Sequence, residues 1–391
     1  MLFGPILRRW VVSSPRSTLG TGSRGAPRRC IVLSGDRFRE PNLLLRAQSC
    51  ERMAETRQWH LASRPVGEPT HENFELVTVD RPEPEANEVL VKTLYQSVDP
   101  YMRGRMRDAE SYAEPWDVGE PMKASVVGEV VESNAAEYDE GDIVTGDLLW
   151  AEHAVADAGE LQRVDPDHGP ISTALGVLGM PGVTGYWGLN DVCDPKPGDT
   201  VFVSAAAGAV GSVVGQLAKL SGARVVGTAG SEAKIDWLTD ELGFDAAINY
   251  KETDDLSSAV KEACPNGVDC YFDNVGGPIT DAVWPRLNVD ARVAVCGQIA
   301  LYNETEVPTG PRKLTKLIET RATVEGLLVS DYQQRWGQAL QRLSQFVQSG
   351  DIQYRENVVE GFENAPDAFL GLFEGENIGK QVVKVADGQH A

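Results

Sequence analysis

After residue 52 the chain holds very little lysine: 11 Lys face 55 Asp and Glu. So acidic a surface repels phosphate backbones and anionic lipid, which excludes nucleic-acid and anionic-membrane partners. Long apolar runs are missing too. None reaches the ~18 residues of a membrane span, so no membrane partner is expected. Cysteine is thin. The six residues (Cys30, Cys50, Cys193, Cys264, Cys270 and Cys296) form no C-x-x-C pair, and no secretory leader with an apolar core is present. Reduced thiols and a cytoplasmic location follow. Between Met53 and Cys193 there is no cysteine, and the histidines are His60, His71, His153 and His168. A metal site of Cys/His type is not readable in them, and none is expected.

The 391 residues suffice for two domains, each with its own core. Residues 1–52 stand apart, with ten Arg, no Lys and only Asp36, Glu40 and Glu51 as acids. Their net of +7 within a whole-chain net of −22 leaves −29 for the remainder. This basic leader reads as a stretch upstream of a true start at Met53, absent or disordered in the mature protein. An Arg-rich transit peptide and a disordered basic arm are the competing readings. The acidic remainder repels itself at low salt and stays hydrated at high salt, which suits a halophilic, salt-accumulating cytoplasm; an acidic protein without that adaptation is the plainer alternative.

From Trp59 to about Pro181 the pattern is of short strands punctuated by Gly and Pro: Phe74–Val79, Glu88–Leu94, Ser125–Glu132 and a turn into Ile143-Val144. Such spacing predicts a small β-barrel-like domain. A polar, aromatic loop, Val98 to Met106, lies between two of these strands, and loops of this kind carry function more often than strands do. Gly179-Met180-Pro181-Gly182 reads as a helix start at a domain junction.

Next comes Val201-Phe202-Val203, then small residues, then Val210, Val213, Val214 and Leu217 at helical spacing. Strand, glycine turn and helix open a dinucleotide-binding βαβ unit, with Gly208 and Gly211 in the second and third glycine places and Ala206 in the first. Gly208 lets a pyrophosphate approach the backbone, and Gly211 lets helix pack on strand. The helix N-terminus offers amides and partial positive charge. A turn of this kind also serves plain close packing. Further strands are expected at Ala223–Ala229, Ala246–Tyr250, Val268–Asp273 and Arg292–Gly297, with helices between, which makes a doubly wound parallel sheet. The second strand ends in Ala229-Gly230-Ser231, where an acid would hold the ribose hydroxyl of NAD. Small residues with Lys234 nearby suit a 2′-phosphate, hence NADP(H); a solvated helix lysine is the alternative, and Glu232 must point away. The stripe Trp336, Leu340, Leu343 and Val347 is read as core packing. Val358–Phe362 and Lys380–Val385 are strands that complete the first domain.

In order along the chain, Asp99-Pro100-Tyr101-Met102-Arg103-Gly104-Arg105-Met106, Gly179-Met180-Pro181-Gly182, Ala205 to Gly211, Ala229-Gly230-Ser231, Asn249-Tyr250-Lys251, Asp273 to Gly277, Cys296 to Ile299, Tyr302-Asn303 and Asn377 to Lys380 resemble the zinc-free medium-chain dehydrogenases/reductases. The resemblance is to the subfamily of prostaglandin/leukotriene, alkenal double-bond and curcumin reductases, and it covers about residues 53–386. It implies an α/β protein: a GroES-like β-barrel domain (53–181, completed by 323–391) and a Rossmann domain (182–322). It also implies a homodimer. For the cofactor it implies Ala207, Gly208, Ala209, Val210 and Gly211 at the pyrophosphate, and Lys234 and Tyr250 at the 2′-phosphate. Asn274, Cys296, Gly297, Gln298, Ile299 and Tyr302 would lie around the nicotinamide and its ribose, with Leu327, Leu328 and Val329 lining it and Asn377 reaching in from the tail. One departure is an extra residue within Thr239-Asp240-Glu241-Leu242, between Lys234 and Tyr250.

The implied reaction is NADPH-dependent, metal-free reduction of the carbon–carbon double bond of an α,β-unsaturated ketone or aldehyde. A phenol can stabilise the resulting enolate without a metal. Tyr302 is the first candidate and Tyr101 the second; a half-buried tyrosine with a satisfied hydroxyl is the plain alternative for each. The rival activities are an NADPH:quinone reductase and a non-catalytic NADPH-binding protein.

Overall fold

Alternation of buried and exposed residues begins at the first strand, and the described strands form three sheets, of two, six and seven strands. The computed structural model describes residues 54–388; the basic leader, with Cys30 and Cys50, lies outside the described residues. The first part holds β1 (Glu55–Leu61), β2 (Phe74–Asp80), β3 (Glu88–Ser97), a short helix α1 (Met102–Arg105), β4 (Lys123–Ser133), β5 (Ile143–Leu149), β6 (His153–Asp157) and β7 (Gln162–Arg163). β3 organises it. One edge of β3 pairs with β4, while the other edge takes β6 along its first half and the late strand β15 (Lys380–Lys384) along its second, all antiparallel. β4 pairs with β5 on its other edge, and β5 runs directly into β6, which returns to β3.

The second part is α2 (Met180–Trp187), β8 (Thr200–Val203), α3 (Gly211–Leu220), β9 (Arg224–Ala229), α4 (Glu232–Asp236), β10 (Ala246–Asn249), α5 (Leu256–Ala263), β11 (Val268–Asp273), α6 (Gly277–Val283), β12 (Leu287–Val295), α7 (Thr315–Thr320) and β13 (Thr323–Gly326). Its six strands are parallel in the order β10-β9-β8-β11-β12-β13. In order of appearance that is 3-2-1-4-5-6, the doubly wound arrangement with its switch point between β8 and β11. All four residues of β8 are buried, as befits a central strand covered by helices on both faces.

Five of these strands are legible in sequence; β13 is the addition. It lies in 323–391, the segment expected to return wholly to the barrel, yet it hydrogen-bonds β12. Its four residues are all exposed, so it carries no alternating pattern to read. Helix α8 (Trp336–Ser349) then packs on α2 through Leu343, which is buried, while Trp336 and Leu340 are only half-buried. The chain finally re-enters the barrel through β14 (Glu356–Glu360), α9 (Ala365–Glu374) and β15 (Lys380–Lys384). Phe369 of α9 packs edge-on against Phe74 and Trp150 and seals the junction. Among the described residues no helix is long and apolar enough to cross a membrane.

Candidate active site

The C-terminal ends of the parallel strands, taken across the sheet, set out one candidate dinucleotide site. At its centre is the turn from β8 to α3. Ala205 adopts a left-handed conformation (φ +48°) there, and a side chain on Gly211 would lie 2.4 Å from its carbonyl oxygen, so glycine is required for the helix to start so close to the strand. Ala206 fits where the glycine pattern has its first glycine because the facing residue on β9 is Gly227, whose Cβ would be only 2.6 Å from that of Ala206. A Cβ on Gly208 would meet nothing nearer than 3.2 Å. Above it the amides of Ala209, Val210 and Gly211 donate to no other described residue. Free amides at a helix N-terminus are what a pyrophosphate needs. Ala207 is held from the other side, its carbonyl accepting from the Gly379 amide at 2.8 Å.

Towards β9 and β10 the site becomes cationic. The Tyr250 hydroxyl sits over Gly230, 3.0 Å from where a Cβ would be, and Lys251 lies beside it. Lys234, largely buried, donates to the Gly375 carbonyl at 2.7 Å, and Lys251 donates to the Glu374 carbonyl at 3.0 Å. The open C-terminal end of α9 thus orients both ammonium groups. Burial, then the charge of Lys251, holds the Lys234 amine below its ordinary value, and burial raises the Tyr250 phenol. No carboxylate pairs with either lysine among the described residues. Glu232 is turned onto the Asn249 side-chain amide (2.9 Å), away from them. The extra residue falls in a π-helical turn, Trp237–Glu241, and Tyr250 and Lys251 lie over Gly230. Lys251, which directly follows Tyr250 in Asn249-Tyr250-Lys251, is a second cation here, and its sequence signal is that position.

Towards β11, β12 and β13 the backbone is tied around the buried Asp273. Its carboxylate accepts from Ser204, Tyr271, Thr280 and the Gln298 side chain, and from the Val275 and Gly276 amides, all between 2.7 and 3.0 Å. Six donors compensate the buried charge without a cation. They also fix Asn274, whose side chain donates to the Ser204 carbonyl, and the Cys296-Gly297 backbone, whose amides donate to the Asp273 carbonyl. The Ile299 amide reaches the Asn274 carbonyl at 3.5 Å. Burial pushes the Cys296 thiol up to about 12, so it remains protonated. Leu327 follows β13 and packs into the gap left by Gly188, where a Cβ would come within 2.5 Å of it; Leu328 and Val329 continue into a 3₁₀ turn. Asn377 donates to the Gly379 carbonyl at 2.8 Å and thereby shapes the clip on Ala207.

The two candidate phenols come from different domains. The Tyr302 hydroxyl accepts from the Gln298 amide at 3.3 Å and keeps its own proton to donate. Burial raises its pKa, with the Gln298 bond opposing. The Tyr101 hydroxyl makes no hydrogen bond among the described residues. Burial, with the Asp99 and Asp147 charges adding, raises its phenol well above its usual range. Both tyrosines therefore stay protonated and able to donate. Their loops are laced together. Arg103 donates to the Asn303 side chain at 3.0 Å, and Arg107 donates to the Tyr302 and Glu304 carbonyls. Burial, then Arg107, lowers the Arg103 guanidinium to about 10. Behind Tyr101, Lys380 donates to the Val98 carbonyl (2.9 Å) and the Asp99 carboxylate (3.0 Å), a buried ion pair that a short Ser97 hydroxyl bond completes. Lys380 follows directly on Gly379, so one turn holds both the phosphate loop and the Tyr101 loop. A cleft of about 670 Å³ opens between Ser97 and Asp147 of the barrel and Trp336 and Leu340 of α8, with Met180 between them.

Fold and site together define a two-domain oxidoreductase that binds a dinucleotide across the strand ends. The family described as "N-terminal domain of oxidoreductase" matches residues 57–164, and that described as "Zinc-binding dehydrogenase" matches 209–345. The chain is 53% identical to the putative NADP-dependent oxidoreductase YfmJ of Bacillus subtilis over 85% of this chain and 99% of that one. It is 44% identical to the NADPH-dependent curcumin reductase of Escherichia coli (84% and 97%) and 45% identical to the NADP(+)-dependent 2-alkenal reductase of Nicotiana tabacum (82% and 95%). The crystal structure of CurA from Vibrio vulnificus in complex with NADPH superimposes with a TM-score of 0.81 at 46% identity, over 85% of this chain and 100% of that one. The chain belongs to the medium-chain dehydrogenase/reductase family, in the branch of curcumin, prostaglandin and alkenal reductases. One family description names zinc. Among the described residues no group of three or more His, Cys, Asp or Glu is arranged to hold a metal ion. The residue set does not fit the metal, and the chemistry below is derived without one.

Proposed function

We propose that this protein reduces the carbon–carbon double bond of α,β-unsaturated ketones and aldehydes with NADPH. The observation that carries the cofactor choice is the pair of unneutralised ammonium groups, Lys234 and Lys251, at the end of β9 and β10. They suit a 2′-phosphate and have nothing to offer a ribose hydroxyl that an acid would not offer better. The amides of Ala209 to Gly211 take the pyrophosphate, and Asn274 and the Cys296 to Ile299 backbone, held by Asp273, border the nicotinamide. When bound, NADPH supplies a hydride to the β-carbon of the enone, and the enolate so formed takes a proton at its α-carbon from a solvent molecule to give the saturated carbonyl compound. As charge builds on the carbonyl oxygen, a protonated phenol donates a hydrogen bond to it: Tyr302 first, Tyr101 from the barrel side second. Hydrogen bonds from Arg103 and Arg107 to Asn303, Tyr302 and Glu304 tie the two phenol-bearing loops together.

Enone-dependent oxidation of NADPH, with NADH as the control, tests this. Turnover with NADPH and a simple enone is expected; turnover of quinones alone, or cofactor binding without turnover, would replace the reading. The remainder of the proposal concerns setting. We place the protein in a salt-rich cytoplasm on its net charge of −22, and expect its melting temperature to climb with KCl. We also propose a homodimer formed on the β13 edge, where Leu314 (70% exposed) and Ile318 (80% exposed) lie uncovered nearby. Ile318→Glu is expected to yield a monomer by light scattering.

A further inference from the structure

The turn that carries Tyr302 is tied at both ends by one residue. Gln298 opens the 3₁₀ turn Ile299–Leu301, which leads directly into Tyr302. Its carbonyl accepts from the Leu301 amide at 2.8 Å. Its amide donates to the Tyr302 hydroxyl at 3.3 Å, so the phenol folds back over the turn. Any residue at 298 offers those two backbone groups. The side chain does something else: its Nε2 donates to the Asp273 carboxylate and to the Gly297 carbonyl, both at 3.0 Å. Asp273 is buried and held by five further donors, Ser204, Tyr271, Thr280 and the Val275 and Gly276 amides, so it is a fixed anchor. Of the six bonds on that carboxylate, the one from Gln298 reaches the loop of Tyr302. The opposite wall is shaped to suit. A Cβ on Gly276, at φ +74°, would lie 2.2 Å from Oε1 of Gln298, so glycine leaves the space that the amide fills.

We propose, resting on the double-bond reading above, that Gln298 is a positioning residue for the Tyr302 phenol: anchored on Asp273, it locks the turn so that the hydroxyl, one lone pair taken by the Gln298 amide, presents its proton to the enone oxygen. Without the side chain the turn keeps its backbone bonds but loses its anchor, and the hydroxyl loses its aim. The loss falls on rate rather than on binding, because the charge that the phenol meets builds only as the hydride is transferred.

The test is a double-mutant cycle on kcat with NADPH and a simple enone. Gln298→Ala is expected to lower kcat about tenfold in the unaltered protein and by less than about twofold in Tyr302→Phe, where there is no hydroxyl left to aim. NADPH affinity and the KM for the enone should stay within about twofold in both, since uniform binding is untouched. A second variant, Gln298→Glu, decides the matter where Gln298→Ala does not fold. Its introduced carboxyl can donate to Asp273 only while protonated, so kcat should approach the parental value in acid and fall as pH rises through the ionisation of that pair. The unaltered protein, with an amide there, should lack this fall. Tyr271, Cys296 and Tyr302, which lie around the pair, all have raised pKa values and stay protonated throughout. The inference is overturned by an equal loss in both backgrounds, by a loss confined to NADPH affinity, or by a Gln298→Glu profile parallel to the parental one; each leaves the reductase reading standing. If the unaltered protein binds NADPH and reduces no enone, the double-bond reading itself falls, and this inference with it.

Discussion

Replacing Lys234 by Met removes one of the two ammonium groups held on the C-terminal end of α9. Both groups are already oriented by the end of α9, at 2.7 Å from the Gly375 carbonyl for Lys234 and 3.0 Å from the Glu374 carbonyl for Lys251. An ammonium about 4 Å from a phosphate charge gains roughly 4 kcal/mol at an effective dielectric near 20. Desolvation offsets part of this, and charge-assisted hydrogen bonds retain about 1.5–3 kcal/mol. At about 1.4 kcal/mol per decade, Lys234→Met should weaken NADPH binding roughly 10- to 100-fold. NADH has no 2′-phosphate and should bind unchanged. Lys251→Met should act alike, and the double variant should lose less than the product of the two, because each ammonium repels the other in the empty site. The pH dependence has a defined sign. Burial and Lys251 hold the Lys234 pKa below that of a free lysine, so its charge disappears earlier as pH rises. NADPH affinity should therefore fall on the alkaline side, and Lys234→Met should flatten that fall. Stability of the free protein should move the other way: a lowered lysine pKa disfavours folding below it, and the penalty fades as pH rises through the folded value towards the unfolded one. Titration of cofactor fluorescence with both nucleotides reads all of this. An equal loss for NADH, or no loss for NADPH, would refute the assignment.

Three further outcomes follow from the same geometry. Gly379→Ala forces a residue at φ +73° to place a Cβ 2.0 Å from the Arg355 carbonyl; it should cost more than about 2 kcal/mol on chemical denaturation and release the clip on Ala207, weakening both nucleotides together. Lys380→Met leaves Asp99 buried and unpaired and should destabilise by about 3–5 kcal/mol, whereas Lys380→Met with Asp99→Asn should recover much of that in the same melt. Tyr302→Phe should lower kcat on an enone by about 10²-fold with little change in KM, and Tyr101→Phe by less; steady-state kinetics that leave both variants at the parental rate would remove the phenols from the chemistry.

The nucleotide half of the protein was readable because its signals are local. Strand periodicity, the Gly208–Gly211 turn and the acid-free end of β9 each occupy a few adjacent residues. The one sequence irregularity there, near Thr239, is taken up by a π-helical turn and leaves Lys234 in place. What stayed hidden depends on distance along the chain. Lys380 meets Asp99 across 281 residues, and Arg103 meets Asn303 across 200; no window of sequence joins them. Asp273 was visible as part of a motif, but its six donors come from the turn after β8, β11, the turn after β11, α6 and the loop after β12, so its role emerges only when those elements meet. β13 escaped for the opposite reason: a four-residue edge strand with every side chain exposed has no period to betray it.

The most direct test of the central claim is to run the reaction with NADPH deuterated at C4 of the nicotinamide, in the presence of a chelator, and to locate the label in the product by NMR. The account predicts a saturated ketone or aldehyde with deuterium on the former β-carbon and a rate indifferent to the chelator. An unsaturated alcohol with deuterium on the carbonyl carbon, or activity abolished by the chelator, would contradict it.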